Sequence, residues 1–137
     1  MRALSSTLCF LTLSLAGCSS ETITHVVAPS VETLSADQLH EMLQNEPDVV
    51  FVDVRSAIEI QYDGTVEGFV HIPIEEFEER YSEIPKDKTV IVACAMGARA
   101  GRGAKILKEH GYERVYAVGM REYQAKGYPL IHPKLDE

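Results

Sequence analysis

Two runs of apolar, mostly β-branched residues stand out along the chain: Val49-Val50-Phe51-Val52, and Val90-Ile91-Val92-Ala93 preceded by Thr89. Their length is that of strands, and the lack of polar alternation predicts burial on both faces, as in a parallel sheet. Shorter runs at Val31 to Leu34, Gly68 to Ile72 and Arg114 to Val118 predict three further strands, with Pro73 ending the middle one. Between them the period changes to that of helices. Ser35-Ala36-Asp37-Gln38 has the form of a capping box opening a helix that stops before Pro47, with Leu39, Met42 and Leu43 on its apolar face. A short helix over Ala57 to Tyr62 is weakly patterned. Ile74, Phe77 and Tyr81 share one side of another, and Glu75, Glu76, Glu78 and Glu79 form its solvated side. Ala100 to His110 reads as a helix closed by Gly111, its Ala100, Gly103, Ala104 and Leu107 giving a small-residue face for close packing on a sheet. A last short helix is expected over Gly119 to Lys126. Strand and helix alternate throughout, which predicts an α/β fold with a mostly parallel sheet covered on both faces.

The first residues carry a different pattern. Arg2 precedes an apolar stretch, Leu8 to Ala16, too short to span a bilayer, which needs about 20 apolar residues. Leu15-Ala16-Gly17-Cys18 follows and resembles the lipobox of bacterial lipoproteins. The resemblance implies a signal peptide over residues 1–17, cleaved before Cys18, and lipid on the Cys18 sulfur that tethers the chain to a membrane after export. Ser19 is compatible with outer-membrane sorting on the periplasmic side. Residues 18–30 show no periodicity and read as a tether of at most roughly 40 Å. Residues 31–137 then form one domain.

Charge and cysteine usage narrow the function. The 137 residues hold 13 Lys and Arg against 21 Asp and Glu, a formal net charge of −8. That sign excludes the basic footprint nucleic-acid binding requires and gives little attraction for small anions. Of the three cysteines, Cys9 falls in the leader and Cys18 in the lipidation motif, so Cys94 is the only thiol left and no internal disulfide framework is expected. His40, His71, His110 and His132 have no ligand spacing, and Gly97, Gly101 and Gly103 match no nucleotide-binding pattern, so neither metal nor cofactor is implied.

The chemistry concentrates at Cys94. In open parallel sheets, sites form at the carboxyl ends of strands, and Cys94 directly follows the buried run ending at Ala93. The segment Cys94-Ala95-Met96-Gly97-Ala98-Arg99 must turn the chain from strand into helix, with Gly97 allowing the turn. Backbone N–H groups of such a loop, together with those at the start of the next helix, converge on a point that holds an anion. There the helix terminus and Arg99 favour the thiolate, so the nucleophile needs no histidine base.

Cys-x-x-Gly-x-Arg after a buried strand resembles the active-site loop of rhodaneses. Asp53-Val54-Arg55 followed by Glu59 is similar to a segment upstream in that family, and Gly64, Gly68, Ile72 and Pro73 match a further motif. The similarity runs from about Ser30 to Leu130, and among subgroups it looks closest to single-domain exported rhodaneses of the phage-shock type. Thr65 and Glu67 replace the usual His and Pro, Ala100 replaces a Ser, and Val118-Gly119 stands where Gly-Gly is common. The resemblance implies a three-layer rhodanese-like fold and a two-step sulfur transfer. Cys94 takes a sulfane sulfur from a small donor, holds it as a persulfide in a cradle formed by Ala95, Met96, Gly97, Ala98 and Arg99, and passes it to a thiol or to cyanide. Arg99 is assigned to anion stabilisation and loop anchoring, and Asp53, Arg55 and Glu59 to a charge network bracing the strand end.

Two other readings compete. Cysteine phosphatases and arsenate reductases use a related loop, but with five residues between Cys and Arg where Ala95 to Ala98 make four. The second is an idle binding module in which Cys94 does not turn over. Within the rhodanese reading, the apolar rim of Ala95 and Met96 and the single loop cation Arg99 predict weak thiosulfate affinity and favour a low-molecular-weight persulfide or a protein donor.

Overall fold

A computed structural model describes residues 29–136, so Cys9, the Cys18 motif and most of the tether lie outside the described residues. The chain runs through β1 (Glu32–Leu34), α1 (Ala36–Asn45), β2 (Val49–Asp53), α2 (Ala57–Asp63), β3 (Val70–His71), α3 (Phe77–Arg80) between 3₁₀ turns at Ile74–Glu76 and Tyr81–Glu83, β4 (Thr89–Cys94), α4 (Ala98–Glu109), β5 (Val115–Gly119) and α5 (Met120–Ala125). The five strands form one sheet in the order β1-β5-β4-β2-β3, and every pairing is parallel. β4 sits at the centre, all six of its residues buried.

Alternation along the strands divides the core in two. Val52, Val90, Val92 and Cys94 face a layer containing Phe77, Ala100, Ala104 and Leu107, so α3 and α4 cover that side. Phe51, Ile91, Ala93 and Val118 face Leu39, Met120 and Tyr123 of α1 and α5. The expected α/β architecture, a parallel sheet with helices on both faces, is the observed one.

The element ends differ where local geometry overrides hydropathy. β3 is only two residues long: Gly68 is in the left-handed region (φ 78°), and beyond Ile72, whose N–H donates to Asp53 O, the chain turns away at Pro73. The segment after Pro73 is one α-turn flanked by 3₁₀ turns rather than one helix. α4 begins at Ala98, two residues before the expected start, which puts Arg99 in the first helical turn. The capping box at Ser35 and Gln38 is present as read.

Candidate active site

Cys94 ends the central strand, and its residue is 1% exposed. Gly97 caps α4 with φ 103°, a conformation that costs an L side chain strain, and from it the Gly97 N–H donates to Cys94 Sγ at 2.9 Å. The first bond of α4 runs from Gly101 N–H to Gly97 O, so the N–H groups at the start of the helix have no helical acceptor and carry partial positive charge. Cys94 Sγ therefore lies between one committed N–H donor and the positive end of a 12-residue helix.

The loop is held from both sides. On the α2 side, Ser56 and Glu59 form a second capping box: Ser56 Oγ accepts from Glu59 N–H at 3.3 Å, and Glu59 Oε2 accepts from Ser56 N–H at 3.0 Å. The same carboxylate accepts both arms of Arg99, Nη2 to Oε1 at 2.6 Å and Nη1 to Oε2 at 2.9 Å, which ties the start of α4 to the start of α2. Arg99 holds the Glu59 carboxyl down at about 2, against a smaller opposing effect of burial, and Glu59 raises Arg99 in turn. With both guanidinium arms occupied, the geometry of Arg99 is that of an anchor for the loop.

On the β5 side, backbone packs directly on backbone. A Cβ at Gly119 would lie 3.0 Å from the Met96 carbonyl carbon and 3.2 Å from its oxygen, so this close approach requires glycine. The next residue but one closes the contact, Arg121 N–H donating to Ala95 O at 3.1 Å.

Asp53, Arg55 and Glu59, expected in one network, fall into two. Glu59 is taken by Ser56 and Arg99, while Arg55, 1% exposed, turns to Asp53. Arg55 Nε donates to Asp53 Oδ1 at 3.0 Å, and its Nη2 to Asp53 Oδ2 at 2.7 Å and to Gly64 O at 2.8 Å. Asp53 pairs in register with Ala93, on the face opposite Cys94, so this buried pair braces the ends of β2 and β4 from the far side. Thr65, which stands where the family usually has His, completes it by donating from Oγ1 to Asp53 Oδ2 at 2.8 Å. Hydropathy gave no sign of that role. Nor did it of the tail that secures Thr65: Thr65 and Ile131 exchange backbone bonds of 2.9 and 2.8 Å, and Gln61 Nε2 donates to Leu135 O at 2.6 Å. Of the other departures, Ala100 is buried in the α4 core layer and Glu67 is exposed.

Two cavities border these strand ends. One of about 340 Å³, beside α2, is lined by Ser56, His71, Glu75, Glu76 and Asp136 among others. The other, of about 430 Å³, lies between the reactive loop and the β5–α5 turn, with Leu34, Ala95, Met96, Gly119, Arg121 and Glu122 in its wall.

A cysteine-bearing strand-to-helix loop on a five-stranded parallel sheet, braced by paired charges, defines a cysteine-loop α/β domain. The Rhodanese-like domain family matches residues 35–126. The chain is 31% identical over 106 residues to a protein of Allochromatium vinosum named Sulfurtransferase, covering 76% of this chain and 98% of that one. The chain therefore belongs to the rhodanese-like family. Among solved structures it is similar to a rhodanese-related protein of Thermoplasma volcanium (TM-score 0.68, 26% identity, covering 74% of this chain and 99% of that one). It is also similar to a Rhodopseudomonas palustris protein described as a possible tyrosine phosphatase (TM-score 0.66, 25% identity, covering 74% and 85%).

Proposed function

We propose that the chain is a sulfurtransferase that carries sulfane sulfur on Cys94. The observation that carries this reading is the Gly97 N–H to Sγ contact of 2.9 Å at the mouth of α4. It favours a sulfur anion at that point in a loop with four residues between Cys94 and Arg99. In the first step the Cys94 thiolate attacks the outer sulfur of a donor. With thiosulfate the S–S bond breaks, sulfite leaves with the electron pair, and Cys94–S–S⁻ remains. After protonation, an acceptor thiolate attacks the outer sulfur of Cys94–S–SH, giving the acceptor persulfide and regenerating the Cys94 thiolate.

The phosphatase reading meets a loop one residue shorter than five, in which Arg99 is already committed to Glu59 by two hydrogen bonds. That commitment also argues for weak binding of doubly charged thiosulfate, since it leaves the loop without a free cation, and it favours persulfide donors. We further place the protein outside the cytoplasm, cleaved after residue 17 and lipidated on Cys18, as an exported rhodanese of the phage-shock kind. This localisation rests on the Leu-Ala-Gly-Cys motif alone.

Steady-state kinetics with donor and acceptor varied together test the covalent carrier. A persulfide intermediate gives parallel double-reciprocal lines. Intersecting lines, or undiminished turnover in Cys94→Ser, would show that Cys94 does not carry the sulfur.

A further inference from the structure

We propose that the cavity between the reactive loop and the β5–α5 turn takes the carbon skeleton of a small aliphatic thiol bearing a carboxylate, and that Arg121 is the specificity-determining residue that receives this carboxylate. This deepens the sulfurtransferase reading and rests on it.

Three observations carry it. The first is position: this cavity has Ala95 and Met96 of the reactive loop in its wall, the two residues that follow Cys94. Its floor is fixed relative to the sulfur, because the Gly119 to Met96 approach and the Arg121 N–H to Ala95 O bond lock the β5–α5 turn onto the loop. The second is surface chemistry. Leu34, Ala95, Met96 and Ala125 present aliphatic walls suited to a short methylene chain, and Met96 is 69% exposed. The third is charge. Among the described residues Arg99 is paired with Glu59, Arg80 with Glu76 and Glu83, and Lys126 with Asp37 and Glu122, whereas no ion pair engages Arg121. The cavity wall thus carries one arginine without an ion-pair partner and one carboxylate, Glu122, that Lys126 already pairs at 3.6 Å, and the guanidinium of Arg121 is a fork suited to a carboxylate. The cavity on the α2 side is the reverse: Glu75, Glu76 and Asp136 border it, and its one arginine, Arg80, is tied to glutamates. An anionic thiol is drawn to the β5 side and repelled from the other.

The transfer is the second half-reaction. The carboxylate-bearing thiolate attacks the outer sulfur of Cys94–S–SH, the S–S bond to Cys94 breaks, and the electron pair stays on Cys94 as the thiolate.

The test uses the full chain, read at the Cys94-containing peptide by mass spectrometry, in wild type, Arg121→Gln and Lys105→Gln. The last removes a unit charge from the exposed face of α4, where Lys105 lines neither cavity, and serves as the control. Cys94 is first reacted with two methanethiosulfonates of equal length, one carrying a sulfonate and one a trimethylammonium group. Each forms a mixed disulfide on Cys94 and expels methanesulfinate, so no sulfane-sulfur chemistry is needed. Removing a unit charge at cavity distance should lower the anionic-to-cationic rate ratio by roughly five-fold in Arg121→Gln and leave Lys105→Gln at the wild-type ratio. The preformed Cys94 persulfide is then discharged with 3-mercaptopropionate and with cysteamine. The wild type should favour the carboxylate thiol, and Arg121→Gln should lose that preference by a similar factor. A reagent ratio that moves equally in both variants, or in neither, overturns the proposal, as does an unchanged acceptor preference in Arg121→Gln. If no persulfide forms at all, the sulfurtransferase reading fails, and the reagent ratio still decides whether Arg121 governs this cavity.

Discussion

Replacing Glu59 with Gln isolates the ion pair that anchors the reactive loop. Gln at this position still accepts the Ser56 N–H, so the cap of α2 survives, while the charge on which Arg99 rests is lost. Arg99 lowers the Glu59 carboxyl from 4.5 to about 2. Taken at face value, that shift corresponds to roughly 3 kcal/mol. Both side chains are about one-third exposed, at 34% and 33%, so solvent screening cuts the expected net effect to about 1 kcal/mol. The pH dependence has a definite sign. Because the folded-state value is depressed, the contribution is complete above the unfolded value of about 4.5 and is lost as the pH falls towards about 2. Urea unfolding should therefore show Glu59→Gln less stable than wild type by about 1 kcal/mol at pH 7, with that gap reduced by about half at pH 3. Persulfide formation at pH 7 should slow several-fold as the start of α4 loosens. A variant as stable as wild type at pH 7, or a gap that does not change with pH, would refute the anchoring role.

The remaining predictions address the other supports of the loop. Asp53→Asn takes the close counter-charge from buried Arg55, leaving it only the 4.0 Å contact with half-exposed Asp63, and should cost about 3 kcal/mol in chemical unfolding, whereas Thr65→Val, which removes only the Oγ1 donor, should cost about 1 kcal/mol. Equal losses would mean that the two side chains do not act as charge and helper. Gly97→Ala forces an L residue into φ 103° and should lower stability by about 1–2 kcal/mol while slowing alkylation of Cys94. Unaltered alkylation would show that the Gly97 N–H does not hold Sγ. Gly119→Ala pushes against the Met96 carbonyl and should reduce sulfur transfer more than ten-fold with a smaller change in melting temperature. The opposite ranking would make Gly119 a packing residue only.

Fold and candidate site were legible in the sequence to different depths. The two β-branched runs identified β2 and β4 because a strand buried on both faces leaves no other composition open to it, and Ser35 with Gln38 marked the start of α1 because a cap is a local interaction. Cys94 was visible because strand, glycine and arginine follow one another within a few residues. What escaped was non-local. Glu59 lies 40 residues from Arg99, and nothing in the spacing showed that it would desert Asp53 and Arg55 for the loop. Thr65 was seen only as a departure from the usual His, and its bond to Asp53 and its pairing with the tail at Ile131 were not foreseen. The closeness of Gly119 to Met96 depends on how β5 ends against β4, which follows from the register of the sheet and not from residue identity. β3 was overread because two residues of ladder cannot be told from five by hydropathy when Gly68 and Pro73 limit the strand.

The central claim is that Cys94 holds the transferred sulfur. Intact-mass spectrometry of the chain after incubation with glutathione persulfide or thiosulfate, with Cys94→Ser alongside, tests it most directly. The account predicts a gain of one sulfur atom that is discharged by added thiol or cyanide and absent from Cys94→Ser. A folded protein with an alkylatable Cys94 that gains no sulfur from either donor, or an identical gain in Cys94→Ser, would contradict it.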